Sequence, residues 1–253
     1  MKNSGNIILI TGGGSGIGAA LAQRFHDAGN TVIVAGRRRD ALEATIAGRP
    51  NMHAMTLDIS SAESIEAFAR AVVAAHPALN VLVNNAGIMQ HEAIDTRRDL
   101  ADTEATITTN LLGPIRLTNA LVDHLKTQAD AAIVNVTSGL AFVPLVVAAT
   151  YSATKAAIHS YTVSLRDALA GQVEVIELAP PAVQTGLTPG QSTREGYQPL
   201  EEFAGEVFAL FGQSPTPKEI LVERVKFLRN AEAEGRFDAA LAAITQLAKG
   251  GGH

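Results

Sequence analysis

Short apolar runs alternate strictly with longer helical stretches over the first 180 residues. Six runs rich in β-branched residues predict buried strands, at 6–11, 31–35, 52–57, 81–84, 131–137 and 173–179. The stretches between them predict helices at 16–28, 40–47, 61–75, 103–125 and 152–170. Alternation with helix-length crossovers requires a parallel sheet that is covered on both faces. We therefore predict an α/β fold, a doubly wound Rossmann-like sheet that binds ligands at the carboxyl ends of its strands.

The pattern changes after the sixth strand. Pro180 and Pro181 interrupt the chain, and residues 185–199 are rich in Gly, Pro, Ser, Thr and Gln, which predicts a mobile flap. Helices are predicted at 201–211, 217–231 and 237–248, and no seventh strand is evident. Residues 1–253 are thus expected to form one domain. Residues 185–212 would be a substrate-covering flap and helix, and residues 213–253 a helical C-terminal extension.

Composition excludes several classes of protein. The chain has no cysteine, which excludes disulfides, thiolate metal sites and a cysteine nucleophile. Its 25 acidic residues outnumber the 20 basic ones, so nucleic acid is not an expected partner. There is no secretory segment and no long apolar stretch, which predicts a cytoplasmic protein without a membrane partner. Histidines and carboxylates lack metal-ligand spacing, so we predict no catalytic metal; His91 and His159 would be surface or pocket-wall residues.

A glycine-rich turn follows the first strand and opens the first helix. Gly12, Gly16 and Gly18 permit a tight turn whose free N–H groups and helix dipole can face a pyrophosphate. Gly14, Gly16 and Ala19 also fit a dinucleotide fingerprint, so the register stays open, and an ordinary glycine-rich β–α turn is the alternative.

The end of the second strand bears on the choice of cofactor. A ribose 2'-hydroxyl is usually bound by an acidic residue at this point, but here Ala35 and Gly36 are followed by Arg37 and Arg38. A 2'-phosphate suits arginine better, with Arg37 as first choice and Arg38 as second. The alternative is a solvated basic start to the next helix.

Tyr151 and Lys155 stand four residues apart in a predicted helix, so their side chains share one face. A cation about 5 Å from the phenol, at an effective dielectric of about 20, favours the phenolate by roughly 3 kcal/mol, or about two pKa units. We therefore expect the Tyr151 pKa to be lowered towards neutrality. Taken alone, such a pair is more often an amphipathic face, but Ser138 and the glycine turn accompany it.

Together these motifs resemble the short-chain dehydrogenase/reductase family, in its branch of about 250 residues. The resemblance covers residues 6 to 185 and includes Asn84 to Gly87 and the segment from Pro180 to Thr185. It implies a catalytic set of Asn110, Ser138, Tyr151 and Lys155. It implies a cofactor site for NADP(H), with NAD(H) less favoured, formed by Gly12, Ser15, Gly16, Ile17, Gly18, Arg37, Arg38, Asp58, Ile59, Asn84, Ala86, Gly87, Tyr151, Lys155, Pro180, Val183 and Thr185.

The resemblance also implies a role for each catalytic residue. Tyr151 would give a proton to the substrate oxygen as hydride reaches the carbonyl carbon, and would take it back in oxidation. Lys155 would bind the nicotinamide ribose, and Ser138 would hold the carbonyl oxygen. Asn110 would hold a water through a backbone distortion in its helix. Asp58 would accept from the adenine amino group, while Val183 and Thr185 would meet the carboxamide.

Substrate and assembly are less constrained. The C-terminus is helix-like where the family normally has a strand. This C-terminus and the segment from Ser138 to Pro144 resemble the DltE-like oxidoreductases of the family. An apolar run at 140–149 favours an apolar carbonyl substrate, although half of it could be core. The expected pocket residues are Leu140, Phe142, Leu145, Ala182 and Leu187.

We expect a homodimer through the helices that carry Asn110 and the pair Tyr151 and Lys155, because the strand that builds the family's other interface was not evident. The function expected is an NADPH-dependent carbonyl reductase. The alternatives are an NAD(P)-dependent alcohol or sugar dehydrogenase working in the oxidative direction, and an NADPH-sensing protein without turnover.

Overall fold

The computed structural model describes residues 1–250, with side chains described up to Leu247. Seven parallel strands form one sheet in the order β3-β2-β1-β4-β5-β6-β7. The strands are β1 Ile7–Thr11, β2 Thr31–Gly36, β3 Met52–Thr56, β4 Val81–Asn84, β5 Ala132–Val136, β6 Glu174–Leu178 and β7 Glu219–Ile220. The order reverses between β1 and β4, so the predicted doubly wound Rossmann-like fold is confirmed.

The helices lie where the sequence predicts most of them. They are α1 Gly16–Asp27, α2 Arg39–Ile46, α3 Ala62–Ala75, α4 Ala101–Ile107, α5 Gly113–Lys126, α6 Ala149–Ala168, α7 Leu200–Phe211, α8 Glu223–Arg229 and α9 Phe237–Gly250. The predicted single helix at 103–125 is two α-helices joined by a π-helical turn at Thr108–Leu112. A π-turn widens the helix by one residue and often marks a functional site.

Apolar cores lie on both faces of the sheet because successive strand residues point to opposite sides. Ile8 and Ile10 of β1 face a core that includes Phe25 of α1 and Phe203 of α7. Leu9 faces the other core, beside α3 and α5. This burial on both faces explains why the strands read as continuous apolar runs.

A seventh strand is present, contrary to the expectation that a helix replaces it. Glu219 and Ile220 form β7, which pairs in parallel with Glu177 and Leu178 of β6. The predicted helix at 217–231 was wrong in its first part, and α8 begins only at Glu223. Two residues are too few to show an alternating pattern, which is why the strand could not be read from the sequence.

The C-terminal helices cover the loop that follows β5. A Cβ on Gly139 would lie 2.9 Å from Leu228 and 3.0 Å from Val225, so this loop lies directly against α8. Val143 forms a small core with Ala231, which follows α8, and with Ala240 of α9. Within the residues described, no helix combines the length and apolar character needed to cross a bilayer.

Candidate active site

The four catalytic candidates meet at the carboxyl end of the sheet. Ser138 follows β5, and its side chain lies beside the Tyr151 hydroxyl in the first turn of α6, near enough to lower the Tyr151 pKa. Lys155 Nζ lies 5.6 Å from the centroid of the Tyr151 ring and donates to the Val136 carbonyl oxygen at 2.8 Å. Tyr151 and Lys155 are both buried. Helix α6 therefore places the Tyr151 phenol and the Lys155 amine at the carboxyl end of β5.

The Tyr151 pKa departs from its ordinary value in the direction opposite to that expected. Burial raises it to about 12, although the hydrogen bond with Ser138 works against this. Burial also lowers the Lys155 pKa to about 8. The expectation of a lowered Tyr151 pKa was wrong because desolvation of the buried phenolate dominates the shift. Tyr151 is thus held protonated at neutral pH.

Asn110 lies at the centre of the π-helical turn, where the resemblance implied a backbone distortion. Its Oδ1 accepts from the Ile88 N–H at 2.9 Å, and its Nδ2 donates to the Ile88 carbonyl oxygen at 2.8 Å. A Cβ on Gly87 would lie 3.3 Å from Asn110 Oδ1 and 3.8 Å from Lys155 Nζ. Asn110 therefore fixes the loop after β4 beside Lys155, and glycine at position 87 leaves room between them.

The glycine turn has the register of Gly12, Gly16 and Gly18. Gly12 and Gly16 have positive φ angles of 67° and 53°, which favour glycine. A Cβ on Gly18 would lie 2.4 Å from the Gly12 carbonyl oxygen. Gly13 and Gly14, which the sequence analysis did not assign to the Gly12 register, are also confined: a Cβ on Gly13 would lie 2.7 Å from Val34, and a Cβ on Gly14 would lie 3.2 Å from Ala41, a less severe contact.

The N-terminus of α1 faces the segment predicted as a flap. The first N–H groups of α1 have no acceptors within the helix, and Ser15 is exposed at its N-cap without a capping hydrogen bond. A Cβ on Gly16 would lie only 3.4 Å from Thr185 Cβ. These N–H groups, the small residues around them and the helix dipole suit a pyrophosphate, so the residues present fit a dinucleotide.

The predicted flap is an internally hydrogen-bonded loop. Gln191 Nε2 donates to the Val183 carbonyl oxygen at 2.8 Å and to Thr185 Oγ1 at 3.1 Å. Gln198 is fully buried and forms a parallel β-bridge with Val183. Pro180 is buried, and its carbonyl accepts from the Gly139 N–H at 2.9 Å. Val183 and Thr185 are thereby fixed next to the glycine turn.

Arg37 and Arg38 are exposed after β2, while Arg39 pairs with Glu43. Asp58 lies just after β3, the strand next to β2. The Asp58 pKa is lowered mainly by hydrogen bonds from Ser60, with a smaller contribution from Arg37. Two guanidinium groups thus lie at the edge where the adenosine half of a dinucleotide is bound in this type of fold.

Other predicted cofactor residues contribute by packing. A Cβ on Gly113 would lie 2.7 Å from the Ile59 side chain, so Ile59 is wedged against α5, and Ile17 packs against the core below α1. The Ala86 N–H donates to Thr11 Oγ1 at 3.1 Å, which ties the loop after β4 to the end of β1.

Asn84 does not face the cofactor edge. Its side chain is buried in the sheet, where Nδ2 donates to Thr118 Oγ1 at 3.1 Å and to Asn135 Oδ1 at 2.9 Å. The residue that supports the glycine turn is Asn85, which the sequence analysis did not single out. Asn85 Nδ2 donates to the Thr11 carbonyl oxygen at 2.9 Å. Asn84 braces the sheet, and Asn85 holds the turn.

The predicted substrate residues are only partly brought together. Leu140 and Leu145 are half-buried, while Ala182 and Leu187 are exposed. The Phe142 ring packs instead against His159, with a centroid distance of 5.0 Å, and under Arg229 at 4.7 Å. Phe142 is therefore part of the contact with the C-terminal helices.

A cavity of about 310 Å³ reaches Tyr151 from the side of the loop after β4. Every lining residue except Ala93 has a polar or charged group in its side chain: Gln90, His91, Glu92, Ala93, Arg98, Asp99, Asp102, Thr103, Thr106, Thr150 and Tyr151. The surroundings of Tyr151 on this side thus differ from the apolar wall expected from residues 140–149.

Comparison with known proteins agrees with this geometry. The sequence profile of the short chain dehydrogenase family matches residues 6–196. The chain belongs to this family.

Relatives of this short-chain dehydrogenase include oxidoreductases and reductases. It is 41% identical to the "Uncharacterized oxidoreductase DltE" of Bacillus subtilis (strain 168), over 91% of this chain and 93% of that protein. It is 35% identical to "Sulfoacetaldehyde reductase 2" of Chromohalobacter salexigens, over 72% and 75% of the two chains. An alcohol dehydrogenase from Thermococcus sibiricus complexed with 5-hydroxy-NADP is similar in structure, with a TM-score of 0.76, 27% identity and coverage of 87% and 97%. The predicted resemblance to DltE-like oxidoreductases is confirmed.

The dehydrogenase also contains a charged cluster that the sequence analysis missed. His159 Nδ1 lies 2.8 Å from Glu177 Oε2, and Thr137 Oγ1 donates to Glu177 Oε1 at 2.7 Å. Glu219 on the adjacent strand completes a group of three side chains whose possible metal-ligating atoms lie within 4.8 Å of one another. Arg229 forms an ion pair with Glu219. His159 therefore has a buried carboxylate as its partner. The pairing of β6 with β7 places Glu219 beside Glu177.

Proposed function

We propose that the protein is an NADPH-dependent reductase that transfers hydride to the carbonyl carbon of a small aldehyde or ketone. The observation that carries this proposal is the buried Tyr151 hydroxyl, which lies beside the Ser138 side chain and near Lys155. Burial raises the Tyr151 pKa to about 12, so the phenol carries its proton at neutral pH. A protonated phenol is the form required to donate to the developing alkoxide, and this supports the reductive direction.

Each side chain of the site has one step in this reaction. Ser138 would hold the carbonyl oxygen through its hydroxyl, and Tyr151 would pass its proton to the same oxygen. Lys155, within reach of the phenol, would stabilise the phenolate left behind and bind the nicotinamide ribose. When bound, NADPH supplies the hydride. Asn110 would keep the loop after β4 in place through Ile88.

Turnover is the direct test. Purified protein is mixed with NADPH and a panel of small polar and apolar aldehydes and ketones, and the absorbance of NADPH is followed. Tyr151→Phe should reduce kcat by 10³-fold or more, roughly the scale of proton transfer together with oxyanion stabilisation, while NADPH still binds. Equal turnover by wild type and Tyr151→Phe would refute the mechanism. Binding of NADPH without turnover of any compound by the wild type would favour the sensor, and turnover only of alcohols with NADP⁺ would favour the oxidative enzyme.

The proposed preference for NADPH is supported by Arg37 and Arg38, which are exposed after β2 where an NAD site would carry an acidic residue. A relative complexed with an NADP derivative is consistent with it. Arg37→Ala should weaken NADPH binding about tenfold or more and NADH binding much less, because only the 2'-phosphate is lost as a partner. Arg70→Ala on α3, which removes an exposed arginine elsewhere, is the matched control. Equal losses for the two cofactors would argue against the 2'-phosphate role.

We further propose that two copies pair through the faces of α4, α5 and α6. Val163 of α6 is 48% exposed, and Ile107, which ends α4, and Leu112, which ends the π-helical turn, are each 38% exposed. Paired copies would bury these apolar side chains. Light scattering after size exclusion should give a dimer for the wild type and a monomer for Val163→Glu. Phe227→Glu on α8, where the replaced side chain is also 48% exposed, should remain dimeric. A monomeric wild type would end this proposal.

A further inference from the structure

Tyr151 lies in the first turn of α6, which has no capping side chain from its own N-cap residue. Helix α6 begins at Ala149, so Tyr151 is its third residue and belongs to the first turn. The N–H groups of a first turn have no acceptors within the helix and need a cap. Ala148 is the N-cap residue of α6 and has no side-chain oxygen with which to cap. A frayed first turn would displace the Tyr151 hydroxyl from Ser138.

Glu92, from the loop after β4, supplies the missing cap. Its Oε1 accepts from the Thr150 N–H, and its Oε2 accepts from the Thr150 hydroxyl at 2.9 Å. The Glu92 N–H donates to the Val147 carbonyl oxygen at 2.9 Å, so the backbone of the loop docks beside the same turn. An ionised carboxylate at this end of α6 is also favoured by the helix dipole.

Arg98 holds the Glu92 carboxylate in place. The Glu92 side chain is only 7% exposed, and Arg98 forms an ion pair with it. Arg98 Nη2 also donates to Thr103 Oγ1 of α4 at 2.7 Å, which anchors the guanidinium. A carboxylate as buried as this one requires such a partner. Glu92, Arg98, Thr150 and Tyr151 all line the cavity of about 310 Å³, so the cap lies directly beside the reacting phenol.

We propose that Glu92 is a positioning residue for Tyr151, acting as the N-terminal cap of the catalytic helix from 58 residues away in the chain. This inference rests on the proposed reductase function, because it assigns Glu92 an effect on a proton transfer by Tyr151. A displacement of about 1 Å at a reacting group can cost about 10²-fold in rate. We therefore expect loss of the cap to lower kcat far more than it changes KM.

The test compares Glu92→Ala, Glu92→Gln and the control Glu66→Ala, an exposed glutamate on α3 that pairs with Arg70. With saturating NADPH and the best substrate of the wild type, Glu92→Ala should lower kcat 10- to 100-fold, roughly as expected for a misplaced catalytic group, with KM changed less than about threefold. Glu92→Gln keeps an oxygen acceptor for the Thr150 N–H but places its amide nitrogen towards Arg98, so it should recover part of kcat and stay clearly above Glu92→Ala. Glu66→Ala should match the wild type.

Several outcomes would overturn the proposal. It fails if Glu92→Ala retains the wild-type kcat, or if Glu92→Gln is impaired as severely as Glu92→Ala, since charge pairing with Arg98 would then matter and the cap would not. If Glu92→Ala does not fold, Thr150→Val removes one of the two contacts and leaves the ion pair intact; kcat should fall about threefold, and an unchanged kcat would refute the cap. Turnover by the wild type, checked first against Tyr151→Phe, separates failure of this inference from failure of the reductase function.

Discussion

Gly18→Ala provides a sharp test of the glycine turn because two opposing effects can be separated. Gly18 is the third residue of α1, and alanine there gains about 1 kcal/mol of helix propensity. The added methyl would lie 2.4 Å from the Gly12 carbonyl oxygen and 2.5 Å from Asn85 Nδ2. Neither atom is the end of a long flexible side chain, and Asn85 is held by its hydrogen bond to Thr11. Forcing a methyl group into such a space costs about 1–3 kcal/mol.

The net effect on the free energy of unfolding should therefore lie between about zero and 2 kcal/mol of destabilisation. The matched control is Gly205→Ala in α7, an exposed helical glycine whose Cβ would have its nearest neighbour, Arg24 Nη2, at 3.9 Å. There the propensity gain should appear alone, as a stabilisation of about 0.5–1 kcal/mol.

The assay is urea unfolding followed by circular dichroism, since the chain has no tryptophan, together with calorimetric titration of NADPH. Gly18→Ala should weaken NADPH binding about tenfold or more, because a shift of the turn moves the N–H groups that would face the pyrophosphate. Gly205→Ala should leave binding unchanged. If Gly18→Ala is stabilised as much as Gly205→Ala and binds NADPH normally, then the close approach of α1 to Gly12 does not constrain the turn and the reasoning is wrong.

Two further predictions concern buried charges. The Lys155 pKa is about 8 in the folded chain against an ordinary 10.5, so the unfolded state binds more protons between these values and stability rises with pH across this range. The unfolding free energy of Lys155→Met minus that of the wild type should therefore shrink by about 2 kcal/mol from pH 7 to pH 9.5, and a constant difference would contradict the shift. Glu177 is fully buried against Thr137 and His159. Glu177→Ala should cost about 3 kcal/mol in urea unfolding and Glu177→Gln about 1 kcal/mol, because only the amide keeps an acceptor for Thr137; equal costs would show that these hydrogen bonds contribute little.

The sheet could be predicted from sequence because each strand is buried on both faces and separated from the next by a helix. Ile8, Leu9 and Ile10 show this most clearly, since neighbouring residues of one strand enter different cores. The same rule fails for Glu219 and Ile220. A two-residue edge strand has no periodicity of its own and is defined only by its pairing with β6.

The placement of Tyr151 beside Lys155 could also be predicted, because the two stand four residues apart in one helix. Their supports could not. Asn85 adjoins Asn84, and the sequence does not say which of the two faces the glycine turn and which the sheet interior. Glu92 caps a helix that begins 57 residues later, and no motif marks it. Contacts between distant loops depend on how the elements pack, and spacing along the chain does not contain that information.

The direction of the Tyr151 pKa shift could not be predicted from the spacing of residues along one helix. Spacing on a helix correctly placed an ammonium beside the phenol, and attraction between them would lower the pKa. Burial of both groups acts against this attraction, because it disfavours the phenolate and the ammonium alike. A site that holds a neutral phenol at rest can still release its proton when an alkoxide forms on the substrate, since the negative charge then moves between two oxygens within the same buried site. What catalysis requires of Lys155 is therefore a stronger interaction with the charge that develops during the reaction than with the resting phenol.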